Sequence, residues 1–170
     1  MLIVMAGLPG SGKSTIAEAA ARMLSCAVVA VDPIEAAMRT AGIAHDQPTG
    51  LAAYVAAEAV ARAQLRLGHV VIVDAVNDAE PARAQWRDLA ASEGARLEFV
   101  EVVLTDADAH RCRLETRDRD LGAFPEPTWA SVDARRSGFD GWIDDRLRLD
   151  ATRRIAENAA LIAALVSDRG

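Results

Sequence analysis

Gly7-Leu8-Pro9-Gly10-Ser11-Gly12-Lys13-Ser14-Thr15 decides how this chain folds. The segment follows the apolar run Leu2-Ile3-Val4-Met5-Ala6 and opens an alanine-rich stretch, so a buried strand leads through a glycine turn into a helix. That is the context in which G-x-x-x-x-G-K-[ST] forms a phosphate-binding loop. Glycines let the backbone curl around phosphate oxygens, and successive N–H groups converge on the anion at a helix N-terminus. Lys13 adds a mobile positive charge near the β and γ phosphates, and Ser14 is placed to offer its hydroxyl to Mg2+. At average residue frequencies the pattern arises by chance in fewer than about one in a hundred chains of this length. The sequence therefore indicates a nucleotide-binding protein.

The chain has 170 residues, 51% of them hydrophobic, which suits one domain spanning residues 1–170 around one substantial core. No apolar run reaches the roughly 18 residues of a membrane span, and no basic region precedes the first apolar segment. Both points predict a cytoplasmic protein with no membrane partner. A net charge of −6 and a pI near 5.1 would repel a polyanion on average, so nucleic acid is not the expected partner. Cys26 and Cys112 lack metal spacing and read as small buried residues kept reduced. No heptad seam is visible, which leaves the oligomeric state open.

Strand-like runs at Ala27 to Val31, His69 to Asp74, Leu97 to Leu104 and Arg146 to Leu149 follow the first one. Helical stretches lie between them: Lys13 to Leu24, Leu51 to Leu67, Glu80 to Glu93, Ala107 to Asp120, Thr128 to Ser137 and Ala151 to Val166. Thr49 and Asp78 fit as helix N-caps, and Gly68 and Gly94 as helix stops. Alternating strands and helices predict an α/β fold with a parallel sheet and right-handed crossovers. In such sheets ligands collect at the C-terminal strand edge, where Asp32, Asp74 and Asp150 end their strands beside the glycine loop. Each aspartate alone would also fit a turn or a helix cap.

Phosphoryl transfer requires an aligned nucleophile, a metal and positive charge on the transferring oxygens. Lys13 and Ser14 with Mg2+ would hold the donor, and Asp32 is the candidate base for an attacking hydroxyl. Pro33 beside it fits the first turn of a helix. Asp74 would anchor the Mg2+ water shell or orient Ser14 and the substrate. Arg113 and Arg117, four positions apart, share one face of the helix read from Ala107 to Asp120 and could close over one triphosphate. The bland alternative is a solvated helix in which Glu115, Asp118 and Asp120 pair with these arginines, Arg111 or Arg119. Trp86, Trp129 and Trp142 read as packing residues. His69 and His110 read as packing or surface residues, whereas His45, in a loop with Asp46 and Gln47, is a weak acceptor-site candidate.

The combination of Gly7 to Thr15, Val31-Asp32, Val73-Asp74-Ala75-Val76-Asn77 and Arg111-Cys112-Arg113-Leu114-Glu115-Thr116-Arg117 resembles small P-loop kinases of the AAA_33 or predicted-kinase group. Relatives of that group include chloramphenicol phosphotransferase and the 5′-kinase domain of phage-type polynucleotide kinase. The resemblance implies a three-layer αβα P-loop kinase fold, five parallel strands in the order 2-3-1-4-5, and a short helical lid at about residues 111–127. It implies ATP and Mg2+ as cofactors, with Gly7, Leu8, Pro9, Gly10, Ser11, Gly12, Lys13, Ser14 and Thr15 on the nucleotide. It makes Asp32 the general base, Asp74 the acid ending the third strand, Arg113 and Arg117 the lid arginines, and Asp150-Ala151-Thr152 a loop near adenine.

One departure matters. Phage-type polynucleotide kinases carry an arginine for the acceptor's phosphate three residues after the base, where this chain has Glu35. A carboxylate there repels phosphate, although Arg39 stands one turn further on and could substitute. The expected activity is transfer of the γ-phosphate of ATP to a hydroxyl of a small neutral or cationic molecule, such as a sugar, nucleoside or antibiotic. Glu35, Arg39, Asp32 and Asp74 are the acceptor-side candidates. The alternatives are a polynucleotide 5′-hydroxyl kinase, or a non-catalytic ATP-binding regulatory or toxin-like module. Neither an N-K-x-D nor an L-S-G-G-Q signature is present, which argues against GTPase switches and transporter ATPases.

Overall fold

Apolar runs rich in valine and isoleucine form the fully buried strands β1 (Leu2–Ala6) and β3 (Val71–Asp74), the largely buried β4 (Leu97–Val103) and the partly exposed edge strand β2 (Ala27–Ala30). The alternating run Arg146–Asp150 forms β5. A computed structural model describes residues 1–44, 46–117, 119, 121–122 and 124–167. Its strands pair in parallel in the order β2-β3-β1-β4-β5, as the resemblance implied. Val4 lies opposite Val73 on one side and Phe99 on the other.

Because successive strand residues point to opposite faces, the core divides in two. Leu2, Val4, Val71, Val73 and Phe99 meet Ala53, Ala57 and Ala61 of α3 (Thr49–Arg66) and Trp86 and Leu89 of α4 (Glu80–Ser92). Ile3, Met5, Ile72, Val100 and Val102 meet Ile16, Ala17 and Ala20 of α1 (Lys13–Leu24) and Ala159 and Ile162 of α7 (Ile155–Ser167). The layers are therefore helix, sheet, helix. At the C-terminal edge of the sheet, α5 (Ala107–Thr116), α6 (Trp129–Ala134) and a 3-10 turn (Arg136–Phe139) pack on the glycine loop through Leu8, Leu114, Val132 and Phe139.

Several local expectations are corrected. Helix α2 (Val31–Thr40) takes over directly from β2, so Asp32 stands in a first helical turn instead of closing a strand. Pro33 is compatible with that position because first-turn N–H groups have no partner inside the helix. The helix read as far as Asp120 stops at Thr116, whose Oγ1 donates to the Cys112 carbonyl at 2.8 Å and competes with the helical bonds. Arg117 then turns into extended backbone, at φ −67 and ψ 138. Asp118, Asp120 and His45 lie outside the described residues. The segment from Thr128 to Ser137 is α6 plus the 3-10 turn, and the last helix begins at Ile155 rather than Ala151.

Thr49 and Asp78 are not N-caps; Pro48 and Ala79 hold those positions, and the two side chains bind across to other elements. Gly68 and Gly94 do end α3 and α4, with φ of +78 and +59. Cys26 is half-buried and Cys112 exposed, so neither is the buried residue expected, and both are free thiols. Trp86 and Trp142 are buried in the core, as read from the sequence. Among the described residues no helix is long and apolar enough to cross a membrane.

Candidate active site

The loop from Gly7 to Gly12 is shaped from three sides. The Gly7 N–H donates to the Val76 carbonyl at 3.0 Å, which ties the loop to the chain leaving β3. Gly10 faces α5, where an added Cβ would stand 3.1 Å from the Leu114 Cβ. Gly12 precedes α1 at φ +91, a conformation that costs glycine little and other residues more. Ser14 and Thr15 face solvent on the first turn of α1.

The parallel register that sets Met5 beside Asp74 brings the end of β3 next to the loop. Lys13 Nζ lies 3.9 Å from Asp74 Oδ1, and both residues are buried at 7% exposure. Asp74 Oδ1 has no hydrogen-bond partner among the described residues. A buried acceptor left unpaired costs about 1–3 kcal/mol, so this oxygen is placed for a ligand. Together with the exposed Ser14 hydroxyl, the donor set suits a hydrated Mg2+, which takes few protein ligands and keeps its waters.

Three clefts open around the loop. One of about 430 Å3 is lined by Gly12, Ile16, Arg113, Ala151, Thr152 and Ile155. The next, of about 320 Å3, is lined by Gly10, Gly12 and Lys13 to Thr15 with Arg113, Arg117 and Arg119. The third, also about 320 Å3, brings Lys13, Ser14, Asp32, Asp74, Arg119 and Leu121 together. Among the described residues, Lys13 and three arginines line the middle cleft without a carboxylate, while the third adds Asp32, Asp74 and Glu18. On a chain of net charge −6, this sorting concentrates positive potential where phosphates would bind.

Arg113 donates from Nη1 to the Ala151 carbonyl at 3.3 Å, linking α5 to the loop after β5. Asp150 shapes that loop: its Oδ1 accepts from the Thr152 N–H at 2.8 Å and Oγ1 at 2.7 Å. Those bonds hold its carboxyl below the usual range. Asp150 itself is not among the residues lining the cleft.

Arg117 and Arg119 both donate from Nε to Glu126, each at 2.8 Å. Arg119 also donates from Nη1 to Asp32 Oδ2 at 2.6 Å. Arg119, which the sequence offered only for charge pairing, is thus the arginine that touches the candidate base. Burial, and then the neighbouring Arg119, lower the Arg117 guanidinium from its ordinary value. Burial works in the opposite sense on Glu126, yet the bonds from Arg119 and Arg117 hold its carboxyl below the usual range.

Glu35 and Arg39 are not brought to the clefts. Glu35 Oε1 accepts from Thr49 Oγ1 at 2.7 Å and stands 3.7 Å from Arg39 Nη2. Arg39 also donates from Nη1 to the Ala44 carbonyl at 2.7 Å. Both side chains fasten α2 to its surroundings.

The chain beyond Asp74 forms a wall that the sequence marked only as a motif. Asn77 is fully buried at φ +53; its Nδ2 donates to the Met5 carbonyl at 2.7 Å and its Oδ1 accepts from Trp86 Nε1 at 2.9 Å. Its N–H donates to the Tyr54 hydroxyl at 3.3 Å. Burial pushes that phenol up to about 12. Next in the chain, Asp78 accepts from Arg135 Nε at 2.5 Å and Nη2 at 3.1 Å, and this pairing raises the Arg135 guanidinium.

The same fold recurs in solved structures. Kti12 of Chaetomium thermophilum in complex with ADP-AlF3 superposes with a TM-score of 0.73 at 19% identity, over 99% of this chain and 98% of that one. The APS kinase CysC of Mycobacterium tuberculosis in complex with AMPPNP and APS gives 0.69 at 23% identity, over 98% and 96%. A gluconokinase of Sinorhizobium meliloti 1021 gives 0.65 at 17% identity, over 99% and 96%. Among proteins of curated function, none matches the chain by sequence. Residues 2–141 match the family model AAA_33, described as an AAA domain. The chain therefore belongs to the AAA_33 family and carries a nucleotide-binding P-loop in a kinase-like fold.

Proposed function

We propose that this protein is an ATP- and Mg2+-dependent phosphotransferase acting on a hydroxyl of a small neutral or cationic molecule. The observation that carries the reading is the meeting of Asp32, Asp74, Lys13 and Ser14 in one cleft that opens beside the cationic phosphate cleft. In this reading the adenosine occupies the cleft between Arg113 and Ile155, and the triphosphate runs over Gly10 to Thr15. Lys13, Arg113, Arg117 and Arg119 neutralise charge on the phosphates, which is the main help that phosphoryl transfer takes from protein. Ser14 and Asp74 would hold Mg2+, directly or through water, and the ion would supply positive charge against the developing negative charge of the transfer.

Asp32 accepts the proton of the attacking hydroxyl. For that it must leave Arg119, and the γ-phosphate is the competing anion that draws the guanidinium away. Residues 111–127 then act as a lid on a single domain of residues 1–170. The tethering of Arg39 to Glu35 and Ala44 leaves no free guanidinium for an acceptor phosphate on α2, and the acidic net charge disfavours a polynucleotide. An ADP-production assay against sugars, nucleosides and antibiotics tests the reading. It predicts acceptor-dependent ADP release that EDTA abolishes. Labelling of a 5′-hydroxyl oligonucleotide would assign the polynucleotide activity instead, and stoichiometric ATP binding without turnover on any acceptor would make the protein a binding module.

A further inference from the structure

His110 is 1% exposed, on the second turn of α5, directly beneath the glycine loop. Its Nε2 lies 2.8 Å from the Pro9 carbonyl, and its Nδ1 lies 3.5 Å from Arg136 Nη2. A guanidinium only donates, so the neutral ring accepts at Nδ1 and carries its proton on Nε2, toward Pro9. Trp129 fixes the ring plane edge-on, with centroids 5.3 Å apart. Among the described residues, this is the only side-chain hydrogen bond to the backbone of Gly7 to Gly12.

The loop needs such a hold because space lies under it. A cavity of about 140 Å3 is bounded by Leu8, Ser11, Val102, His110, Arg136 and Phe139. At that size the space admits water, so no packed protein atoms back the loop there. Ser11 Oγ, buried at the same place, has no partner among the described residues. Helix α5 also carries Arg113, whose guanidinium lines both the nucleoside and phosphate clefts.

We infer that His110 is a positioning residue, whose Nε2–H pins Pro9 so that the loop keeps its phosphate-receiving curl and stays in register with Arg113. The inference rests on nucleotide binding at the loop and is independent of the acceptor. The pin is sensitive to pH. Arg136 faces the ring from the 3-10 turn, Arg113 and Arg117 from α5 and its end, and Glu101 lies across the cavity, already paired with Arg146 and Arg148. Burial, followed by these arginines against the Pro9 bond, lowers the ring from its ordinary 6.5. The neutral pin is therefore intact above that value. As pH falls through the lowered one, Nε2–H still donates to Pro9, but a proton on Nδ1 ends its acceptance from Arg136 and sets two cations against each other, which strains the pin.

The test is equilibrium affinity for Mg2+·ADP, by calorimetry, in wild type, His110→Phe, His110→Ala and His110→Gln, with melting temperatures alongside. Phe fills the ring's volume without a donor, whereas Gln keeps an N–H at a similar reach. Phe and Ala are expected to weaken binding about tenfold, the scale of one lost buried hydrogen bond, and Gln by less than about threefold. Comparing wild type with Gln at each pH cancels the titration of the phosphate, and wild type should lose ground to Gln only as pH falls below 6.5 and through the lowered value. Wild-type affinity in the Phe variant, or a Gln variant as weak as Phe, overturns the inference; if Phe does not fold, Ala takes its place in both criteria. A lowered melting temperature with unchanged affinity would equally reduce His110 to a packing residue. A failed acceptor screen leaves all of these outcomes readable.

Discussion

Arg83 illustrates how single residues hold the site's wall. It is 3% exposed, yet its Nη1 donates to the carbonyls of Asn77 at 3.1 Å and Gly138 at 3.2 Å. Its guanidinium also sits 4.9 Å from the centre of the Trp142 ring. One side chain thus joins the loop after β3 to the 3-10 turn that packs against the glycine loop. Arg83→Met keeps most of the volume and leaves two carbonyls unpaired, so it should cost about 2–4 kcal/mol and lower the melting temperature by roughly 4–16 °C. Denaturation within error of wild type would refute that role. At this scale the sequence was partly readable. Asp74 was visible because an acid ending an apolar strand after a glycine loop falls on the ligand edge of a parallel sheet, although a turn or cap role fits the same position. The Asp32–Arg119 contact was not, since the partners are 87 positions apart and Arg119 sits in a mixed run of charges that reads as a solvated face.

At the scale of elements, the segment that follows α5, proposed as a lid, is the informative piece. Its arginines are latched in pairs, with Glu126 holding Arg117 and Arg119, and Asp32 holding Arg119 a second time. Glu126→Gln removes a competitor for both guanidiniums, so affinity for Mg2+·ADP should rise by about two- to fivefold at low salt, and the gain should shrink as salt screens it. Unchanged or weaker binding would show that the latch does not compete with phosphate. Because the arginines hold the Glu126 carboxyl below its usual value, the latch is complete above that range and fails only as pH falls through the lowered value. The end of α5 was hidden from sequence for a local reason: Thr116 back-bonds to Cys112, and apolar periodicity carries no trace of a hydroxyl competing with the helix. The start of α2 was equally hidden, because Val31 reads as the last strand residue and is the first helical one. Helices α1, α3 and α4 were legible because glycine turns and apolar periodicity bound them.

Across the whole molecule, the sheet order sets the candidate site. Placing β1 between β3 and β4 brings the glycine loop beside Asp74 on one flank and beside α5 with its arginines on the other. The existence of the central strands was legible because burial on both faces makes them continuous apolar runs. Their order was not legible from periodicity, which says nothing about neighbours; it came from the resemblance, and the pairing agrees with it. Asp32 as the base of a phosphoryl transfer is the central proposal. The most direct measurement is γ-phosphate transfer from ATP by wild type and Asp32→Asn on the acceptor found in the screen, with Mg2+·ADP affinity taken in parallel. The account predicts that the variant binds nucleotide at least as tightly as wild type, since Arg119 is released, while transfer falls by about 10²–10⁴-fold. Transfer by Asp32→Asn at the wild-type rate would contradict it.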